Sequence, residues 1–295
     1  TSDRYIIRSK EYFSEDERIL ELIESSESST LLKEGTKVDE AIFDEEKSRI
    51  VGYLQNKGFA AFTKSNIDFK ADSSDLQIDV FITILPPSSG FIHRQYTIGD
   101  IEVYPDYRGS IKESYSNAQE LKGIQYAFDD ENYFIKPRTL SRAMDMQERI
   151  LYKKYRIDNT YRSLAKLGTY RFINISSQIS EEQDTVINYK VFLTPIEKTW
   201  AIDGSLDLFY SYLAQNSLNR LGLSANTSLS NLNAFGGGEK FSFSLETTNE
   251  INLPEFQFSS FTFKAQTSLR FPTLVDPGNI ILKRFERLPQ KLGKG

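Results

Sequence analysis

The chain has 295 residues, a net charge of −5, a single His and no Cys. Its length corresponds to about two domains if each takes roughly 150 residues. The missing Cys excludes disulfide scaffolds and thiolate metal sites, and one His leaves little from which a Ser/His triad or a zinc site could be built. The acidic balance argues against a nucleic-acid-binding surface, which is normally basic.

Charge is unevenly distributed along the sequence. Charged side chains form about 30% of residues 1–199 but only about 14% of residues 200–271. This change predicts a boundary near Thr199. The segment 85–90, Leu-Pro-Pro-Ser-Ser-Gly, predicts a second boundary. No apolar run approaches the roughly 18 residues that a membrane-spanning helix needs.

The first segment is predicted to run β-α-α-β-β. Ser14 precedes Glu17 by three residues, which is typical of a capping box at a helix start. A second amphipathic helix is predicted to end at Gly58. Strands are expected at 5–7, 67–69 and 76–84, and the apolar faces of the two helices consist of Ile19, Leu22, Ile23, Phe43, Ile50, Val51 and Leu54.

The second segment repeats part of this plan. Leu54, Gly58 and Phe62 recur at the same spacing as Leu164, Gly168 and Phe172, an offset of about 110 residues. We therefore expect each segment to place helices on one face of a three-stranded sheet, with a polar insertion in the second. The expected elements of the second segment are strands at 96–103, 172–175 and 186–193, a last helix with Tyr161, Leu164 and Leu167, and the insertion at about 105–136.

From Trp200 onward the apolar pattern has a period of two. Four strands are expected, beginning near Trp200, Leu221, Phe241 and Phe261, with polar residues on the opposite face. Such strands are typical of a membrane barrel, which has an apolar lipid face and a polar lumen. The pattern taken alone favours a commoner structure, a soluble antiparallel sandwich.

A glycine-rich motif lies between the second and third of these strands. The segment Asn233-Ala-Phe235-Gly236-Gly237-Gly238-Glu239 resembles the Asn-x-Phe-Gly-Gly-Gly-Glu hairpin of BamA/TamA-type outer-membrane assembly proteins. Leu232 departs from the Arg that often precedes that Asn. No helix start or Gly-Lys-Ser/Thr sequence follows, so a hairpin or bulge is predicted here rather than a phosphate loop.

Other segments extend the resemblance over about residues 4–271. The pattern Thr160-x3-Leu164-x2-Leu167-Gly168-x-Tyr170-x2-Ile173 is similar to the last POTRA domain before such a barrel, and residues 193–198 are similar to its exit. The first segment resembles POTRA domains of the TamL-like branch through Leu32-Lys33-Glu34-Gly35, Arg49-Ile50, residues 54–59 and Phe62.

The resemblance implies α+β POTRA domains (β-α-α-β-β) at 1–88 and 89–198, the first antiparallel strands of a transmembrane β-barrel at 199–271, and a basic tail or gapped fragment at 272–295. It further implies a non-enzymatic factor in the outer membrane of a Gram-negative bacterium, with its POTRA domains in the periplasm. The partners would be unfolded outer-membrane proteins, other assembly-complex subunits and the lipid bilayer. No cofactor, metal or nucleic acid is expected.

In the POTRA pattern the second strand lies at a sheet edge, where a partner strand can add to unpaired backbone groups. This implies partner-strand binding at Thr63, Ile67, Phe69, Phe172, Ile173 and Ile175. The first barrel strand would form a weak seam that templates insertion, through Trp200, Ile202, Gly204, Leu206 and Leu208. The alternative is that each strand only completes its domain and that Gly204 is an ordinary strand residue.

Other polar features have ordinary interpretations. His93 is predicted to be a solvated linker residue rather than a ligand or base. Asp129-Asp130-Glu131 is predicted to be a polar loop tip rather than a metal cluster, and the acidic first helix a solvated face rather than a calcium site. The basic residues of the tail fit either a flexible end or a contact with lipid headgroups: Lys283, Arg284, Arg287, Lys291 and Lys294.

Two further functions remain open at this stage. One is a soluble periplasmic or surface binding protein with a β-sandwich domain, such as a carbohydrate or adhesion module. The other is a hydrolase with paired carboxylates, although no local motif singles out a pair. Four strands cannot close a membrane barrel, which needs about eight. The barrel hypothesis therefore predicts a fragment, or a gap between Pro277 and Lys283.

Overall fold

The computed structural model describes residues 5–87, 90, 92–110, 117–128, 133–213, 218–253 and 255–272. In these residues three sheets follow one another along the chain, with three, five and four strands. Helices pack on the first two sheets. We call these parts the first unit, residues 5–87, and the second unit, residues 92–195. The third sheet, residues 200–270, is called the strand sheet.

The first unit has the predicted order of elements. They are β1 (Ile6–Ser14), α1 (Glu17–Ser25), α2 (Glu40–Gln55), β2 (Ile67–Ser74) and β3 (Gln77–Ile84). β3 lies in the middle, parallel to β1 and antiparallel to β2. The alternation predicted for the last strand is confirmed, because its inward side chains are buried in one cluster with the apolar faces of α1 and α2: Ile78, Val80, Ile82 and Ile84.

Two local predictions in the first unit are wrong. Ser14 does not cap α1, because it is the last residue of β1 and its hydroxyl accepts a hydrogen bond from the N–H of Asp16, the residue at the N-cap position. The opening strand is also longer than the apolar signal of residues 5–7. Pairing with β3 keeps polar residues in β1 as far as Ser14, so tertiary pairing overrides the local pattern.

The second unit contains more strands than predicted. Its elements are β4 (Thr97–Tyr104), β5 (Asn117–Leu121), β6 (Ile124–Phe128), α3 (Pro137–Ala143), α4 (Lys154–Lys166), β7 (Tyr170–Ile179) and β8 (Val186–Pro195). The sheet order is β5-β6-β4-β8-β7, so the expectation of a three-stranded sheet is wrong for this unit. β4 lies at the centre and runs parallel to both of its neighbours.

The two additional strands come from the predicted polar insertion. Lys122 and Gly123 have φ values of 57° and 78°, which close a two-residue hairpin turn between β5 and β6. In β6, Ile124, Tyr126 and Phe128 are buried in the core of the unit. A short period-two pattern after a Lys-Gly turn was therefore present in the sequence, within a segment that is polar on average.

The inward face of α4 differs from the prediction at one position. Leu164 and Leu167 are buried as predicted, whereas Tyr161 is 49% exposed. Thr160 takes the inward position instead, and its hydroxyl accepts hydrogen bonds from the N–H groups of Asp145 and Met146. The helix is therefore tied to the preceding loop by a buried polar contact, which a search for apolar residues overlooks.

The strand sheet consists of four antiparallel strands in sequence order. They are β9 (Trp200–Leu213), β10 (Leu218–Asn231), β11 (Lys240–Leu253) and β12 (Gln257–Arg270), each of 14 residues. The sheet is open. A β-sandwich requires a second sheet packed on the apolar face. In the described part of the chain, no second sheet covers that face. No described helix is long and apolar enough to cross a membrane.

The prediction that His93 is a solvated linker residue is wrong. Its ring is buried and packs on Phe62 at 4.9 Å between centroids, and its Nε2 lies 3.1 Å from the carbonyl oxygen of Leu85. The backbone N–H of His93 donates to the Asp16 carboxylate, and its C=O accepts from Arg18. Burial lowers the pKa of His93. The linker is held on the first unit because its polar groups find partners there.

Direct contacts also join the two units. The N–H of Tyr96 donates to the C=O of Gly58 at 2.8 Å, and the N–H of Tyr155 donates to the Asn56 side chain at 2.9 Å. Gly58 has a φ of 102°, and a Cβ there would lie 2.7 Å from Cδ1 of Leu151. A glycine is therefore needed both to turn the chain after α2 and to leave room for the second unit.

The predicted loop tip at 129–131 and the basic residues of the tail lie outside the described residues.

A fully buried carboxylate holds α2 against the preceding loop. Glu46 accepts hydrogen bonds from Arg49 at 2.7 Å, from the Thr30 hydroxyl at 2.9 Å and from the Leu31 N–H at 2.9 Å. Burial alone would raise the pKa of Glu46, but these donors outweigh it and hold the pKa below its ordinary value. Its negative charge is therefore part of the folded state.

Replacement of Glu46 is predicted to destabilise the first unit. Glu46→Ala leaves the Arg49 guanidinium without its buried partner, and we expect a loss of about 3–5 kcal/mol. Glu45→Ala, at an exposed position on the same helix, serves as the control and should change stability by less than about 0.5 kcal/mol. Chemical unfolding, followed by hydrogen exchange in α2, measures both. Equal effects would show that the buried pair has no special role.

Candidate functional site

β2 presents an open backbone edge. In an antiparallel pair, successive residues alternate between bonding to the neighbouring strand and pointing away from it. The hydrogen bond from the Leu85 N–H to the Asn66 C=O fixes this alternation. The backbone groups that point away from β3 therefore belong to Ile67, Phe69, Ala71 and Ser73, and no described strand pairs with them.

The start of β1, at the other edge of this sheet, is covered. The N–H of Ile7 donates to the C=O of Thr36 at 3.0 Å, and the N–H of Gly35 donates to the C=O of Ile7 at 2.9 Å. The chain thus uses its own loop to satisfy that part of the edge. β2 is left as the longer accessible edge of the first unit.

The three residues predicted at this edge lie in different environments. Thr63 precedes β2, and its N–H and hydroxyl both donate to the Asn66 side chain, so its assignment to the edge strand is corrected. Ile67 directs its backbone to the edge while its side chain is buried. Phe69 is half-buried and lines a groove of about 310 Å³ beside α2, together with Phe43, Asp44, Lys47 and Ala71.

β7 is the corresponding edge of the second unit. The hydrogen bond from the Ser180 N–H to the Val186 C=O fixes its alternation, and β8 is its one neighbour among the described strands. Of the predicted residues, Ile173 and Ile175 point their backbone groups away from β8. Phe172 points its own toward β8, and its side chain is 60% exposed. The backbone groups facing the open edge belong to Ile173, Ile175, Ser177 and Ile179.

β9 is an edge of the strand sheet, and it contains all of the predicted seam residues. The hydrogen bond from the Leu232 N–H to the Thr199 C=O places the backbone groups of the even-numbered residues on the open side. These include Trp200, Ile202, Gly204, Leu206 and Leu208. A Cβ on Gly204 would make only an ordinary contact of 3.7 Å with the Asn226 carbonyl oxygen. Local packing therefore does not require glycine there.

The two faces of the strand sheet differ completely in charge. By register, every charged side chain of the four strands lies on one face: Asp203, Asp207, Arg220, Lys240, Glu246, Glu250, Lys264 and Arg270. The other face carries mainly apolar side chains, and Ile202, Leu206 and Leu208 are 72–78% exposed. The sheet is therefore amphipathic with its apolar face uncovered.

Side-chain contacts cross the strands on the charged face. Arg220 pairs with Glu250 at 3.2 Å and Lys264 with Glu246 at 3.3 Å. Phe209 also lies on this face and covers its partner Gly222, where a Cβ would lie 2.2 Å from the ring. Nothing in the sequence pattern pairs these two residues, because only the strand register brings Phe209 opposite Gly222. In the described residues, no three potential metal ligands gather at one place.

The glycine-rich segment forms the connection from β10 to β11, as predicted, and it is held by its own hydrogen bonds. The N–H of Gly238 donates to Oδ1 of Asn233 at 3.0 Å, and the N–H of Gly237 donates to Glu239 at 2.8 Å. Gly236 and Gly238 both have a φ of 78°, which favours glycine at these two positions. Asn233 and Glu239 thus serve to close the loop, while Phe235 is 58% exposed.

The same loop docks on the second unit. The N–H of Lys136 donates to the C=O of Gly236 at 2.8 Å, and the Asn233 side-chain amide donates to the C=O of Phe134. A Cβ on Gly238 would lie 3.2 Å from the Leu167 carbonyl oxygen. The loop therefore links the strand sheet to the second unit at a point distant in sequence from the direct connection at 196–199.

No family model matches the sequence, and no curated protein sequence matches it. Among solved structures, the chain is similar to BamA from Haemophilus ducreyi lacking POTRA domains 1–3, with 12% identity and a TM-score of 0.46 over 90% of this chain and 47% of that one. It is similar to CdiB from Acinetobacter baumannii, with 11% identity and a TM-score of 0.35 over 92% of this chain and 43% of that one. It is also similar to POTRA1-2 of Omp85 from Anabaena, with 12% identity and a TM-score of 0.34 over 66% of this chain and 98% of that one. The chain thus spans about half the length of the first.

Loss of the Asn233 side chain is predicted to loosen the docked loop. Asn233→Ala removes the acceptor for Gly238 and the donor to Phe134, whereas Asn233→Asp keeps only the acceptor. Each lost hydrogen bond is worth about 1–3 kcal/mol when its partner stays buried. Amide exchange in residues 232–239 should be fastest in Asn233→Ala and intermediate in Asn233→Asp. Asn226→Ala, within β10, is the control and should leave the loop unchanged. An unchanged loop in both Asn233 variants would contradict the docking.

Proposed function

We propose that this protein is an outer-membrane assembly factor whose strand sheet is part of a transmembrane β-barrel. In the proposal the first and second units are POTRA domains that lie in the periplasm. The single observation that carries it is the separation of all charged side chains of the strand sheet from an uncovered apolar face. Exposure of such an apolar face to water is unfavourable, whereas its contact with lipid acyl chains is favourable.

The position of aromatic residues supports the membrane assignment. On the apolar face, Trp200 lies near the second unit and Tyr210 near the far end of β9, ten residues apart. At about 3.3 Å per residue and a tilt of about 40°, this separation spans about 25 Å of membrane thickness, the height of the apolar band in outer-membrane barrels. By register, Phe241 lies at the level of Trp200 and Phe258 at the level of Tyr210, with Tyr212 two residues further along β9.

The open edges of β2 and β7 supply the binding function in this proposal. Each leaves alternate N–H and C=O groups available, so an unfolded outer-membrane protein, or a strand of another assembly subunit, can add to the sheet. Main-chain hydrogen bonds recognise any extended sequence, which suits a factor with many substrates. The grooves beside the strands accept alternate side chains of the added strand.

The β9 edge supplies the insertion function. Its even-numbered residues direct unpaired backbone groups sideways within the proposed membrane region, where each unpaired group costs several kcal/mol. A substrate strand that pairs there removes that cost. We propose that β9 forms a seam of this kind, and that the chain acts without cofactor, metal or chemical catalysis.

The docked loop at 232–239 has a supporting role in the same mechanism. It ties the β10–β11 hairpin to the second unit through Gly236 and Asn233, so the strand sheet and the β7 edge keep a fixed relation. Because the β7 edge stays at a fixed position relative to β9, a strand bound at β7 is held close to the proposed seam.

Lipid contact of one face tests the proposal. Because the chain has no native Cys, Leu206→Cys and Ser205→Cys can each carry a single fluorescent label. In vesicles with brominated acyl chains, we expect strong quenching of the label at 206, on the apolar face. The label at 205, on the charged face, serves as the matched control and should be quenched little. Equal quenching at both positions would overturn the membrane assignment.

A further inference from the structure

Two grooves of opposite character flank the same half of β7. On the face that carries the helices, a cavity of about 230 Å³ lies at the junction of the two units. This is smaller than the roughly 300–1,000 Å³ of small-molecule pockets, so it suits one large side chain. Alanine, isoleucine and tyrosine side chains form most of its lining, with Ala60, Tyr96, Tyr152, Ile179, Ile187 and Tyr189.

The opposite face of the same strand is acidic. Asp100, Glu102, Glu181 and Glu182 line a groove there together with Lys190. Lys190 is already paired with Glu102 at 3.3 Å. The other three carboxylates have no ion-pair partner within the described ranges. A negative potential therefore lies beside the open edge.

The backbone of β7 connects these two grooves. Residues opposite one another on paired strands direct their side chains to the same face. A residue added opposite Ser177 or Ile179 would therefore point toward the apolar cavity. A residue added opposite Ser176 or Gln178 would point toward the acidic groove. The edge can therefore distinguish two types of side chain that alternate along an added strand.

We propose that the C-terminal half of β7 selects extended segments in which apolar and basic residues alternate. A large apolar side chain enters the junction cavity, and Lys or Arg side chains lie along the acidic groove. The inference rests on the proposed function and adds a substrate class to it. Segments with alternating apolar and acidic residues are disfavoured, because their carboxylates would lie beside the carboxylates that line the acidic groove.

Labelled peptides test this selectivity on the full chain in nonionic detergent. The probes are a heptapeptide of alternating Leu and Lys, one of alternating Leu and Glu, and a Leu/Lys peptide of the same composition in two blocks. We expect the alternating Leu/Lys peptide to bind about tenfold more tightly than the other two at low salt. The preference over the Leu/Glu peptide should shrink at 0.5 M salt, since exposed charges are screened.

Two variants and one control locate the binding site. Glu181→Lys combined with Glu182→Lys changes exposed loop residues, and it should reverse the charge preference. Ser177→Pro removes an N–H at the open edge without breaking the ladder to β8, and it should reduce binding of both peptides at least tenfold. Ser177→Ala keeps that N–H and separates loss of the donor from loss of the side chain.

The outcomes separate this inference from the proposed function. Equal binding of the Lys and Glu peptides, both lost in Ser177→Pro, would overturn the selectivity while supporting strand addition at β7. Peptide binding unaffected by Ser177→Pro would overturn the assignment to this edge. If neither the peptides nor a urea-unfolded porin bound to β2 or β7, the proposed function of the two units would fail as well.

Discussion

The main constraint on this molecule is that backbone N–H and C=O groups need partners, and that a strand at the end of a sheet lacks one on its outer side. β2, β7 and β9 each end a sheet in the described chain, and each leaves every second residue unpaired. In water this costs little, since solvent can pair with the groups, but it invites association. In a membrane the same groups are costly. In the proposal, β2 and β7 in water and β9 in the membrane therefore all act through the pairing of open backbone groups.

The rest of the fold positions these edges. Gly58, His93 and Asn56 fix the first unit on the second, and the loop at 232–239 fixes the strand sheet on the second unit. The buried Glu46 holds α2, whose Phe43 and Lys47 form one wall of the groove beside β2. Core packing and buried polar contacts thus hold the edges in place.

Much of the fold followed from periodicity, and the failures have specific physical causes. The alternation from Trp200 onward predicted the four strands, because a two-sided environment imposes a period of two. The β5–β6 hairpin was missed because burial of Tyr126 and Phe128 depends on tertiary pairing with β4. His93 was misassigned because its partners, Asp16 and Leu85, lie 77 and 8 residues away. At the site, the resemblance to POTRA domains implied the edge strands, but the direction of each backbone group required the hydrogen-bonded register.

Amide-resolved hydrogen exchange along β7 shows whether a substrate strand adds to its open edge. In the free protein, Ile173, Ile175, Ser177 and Ile179 should exchange quickly, while Asn174, Ser176 and Gln178 are protected by pairing with β8. Addition of a urea-unfolded porin should slow exchange of the first set and leave the second unchanged. Protection of both sets before addition, or no change in the first set after it, would contradict the account.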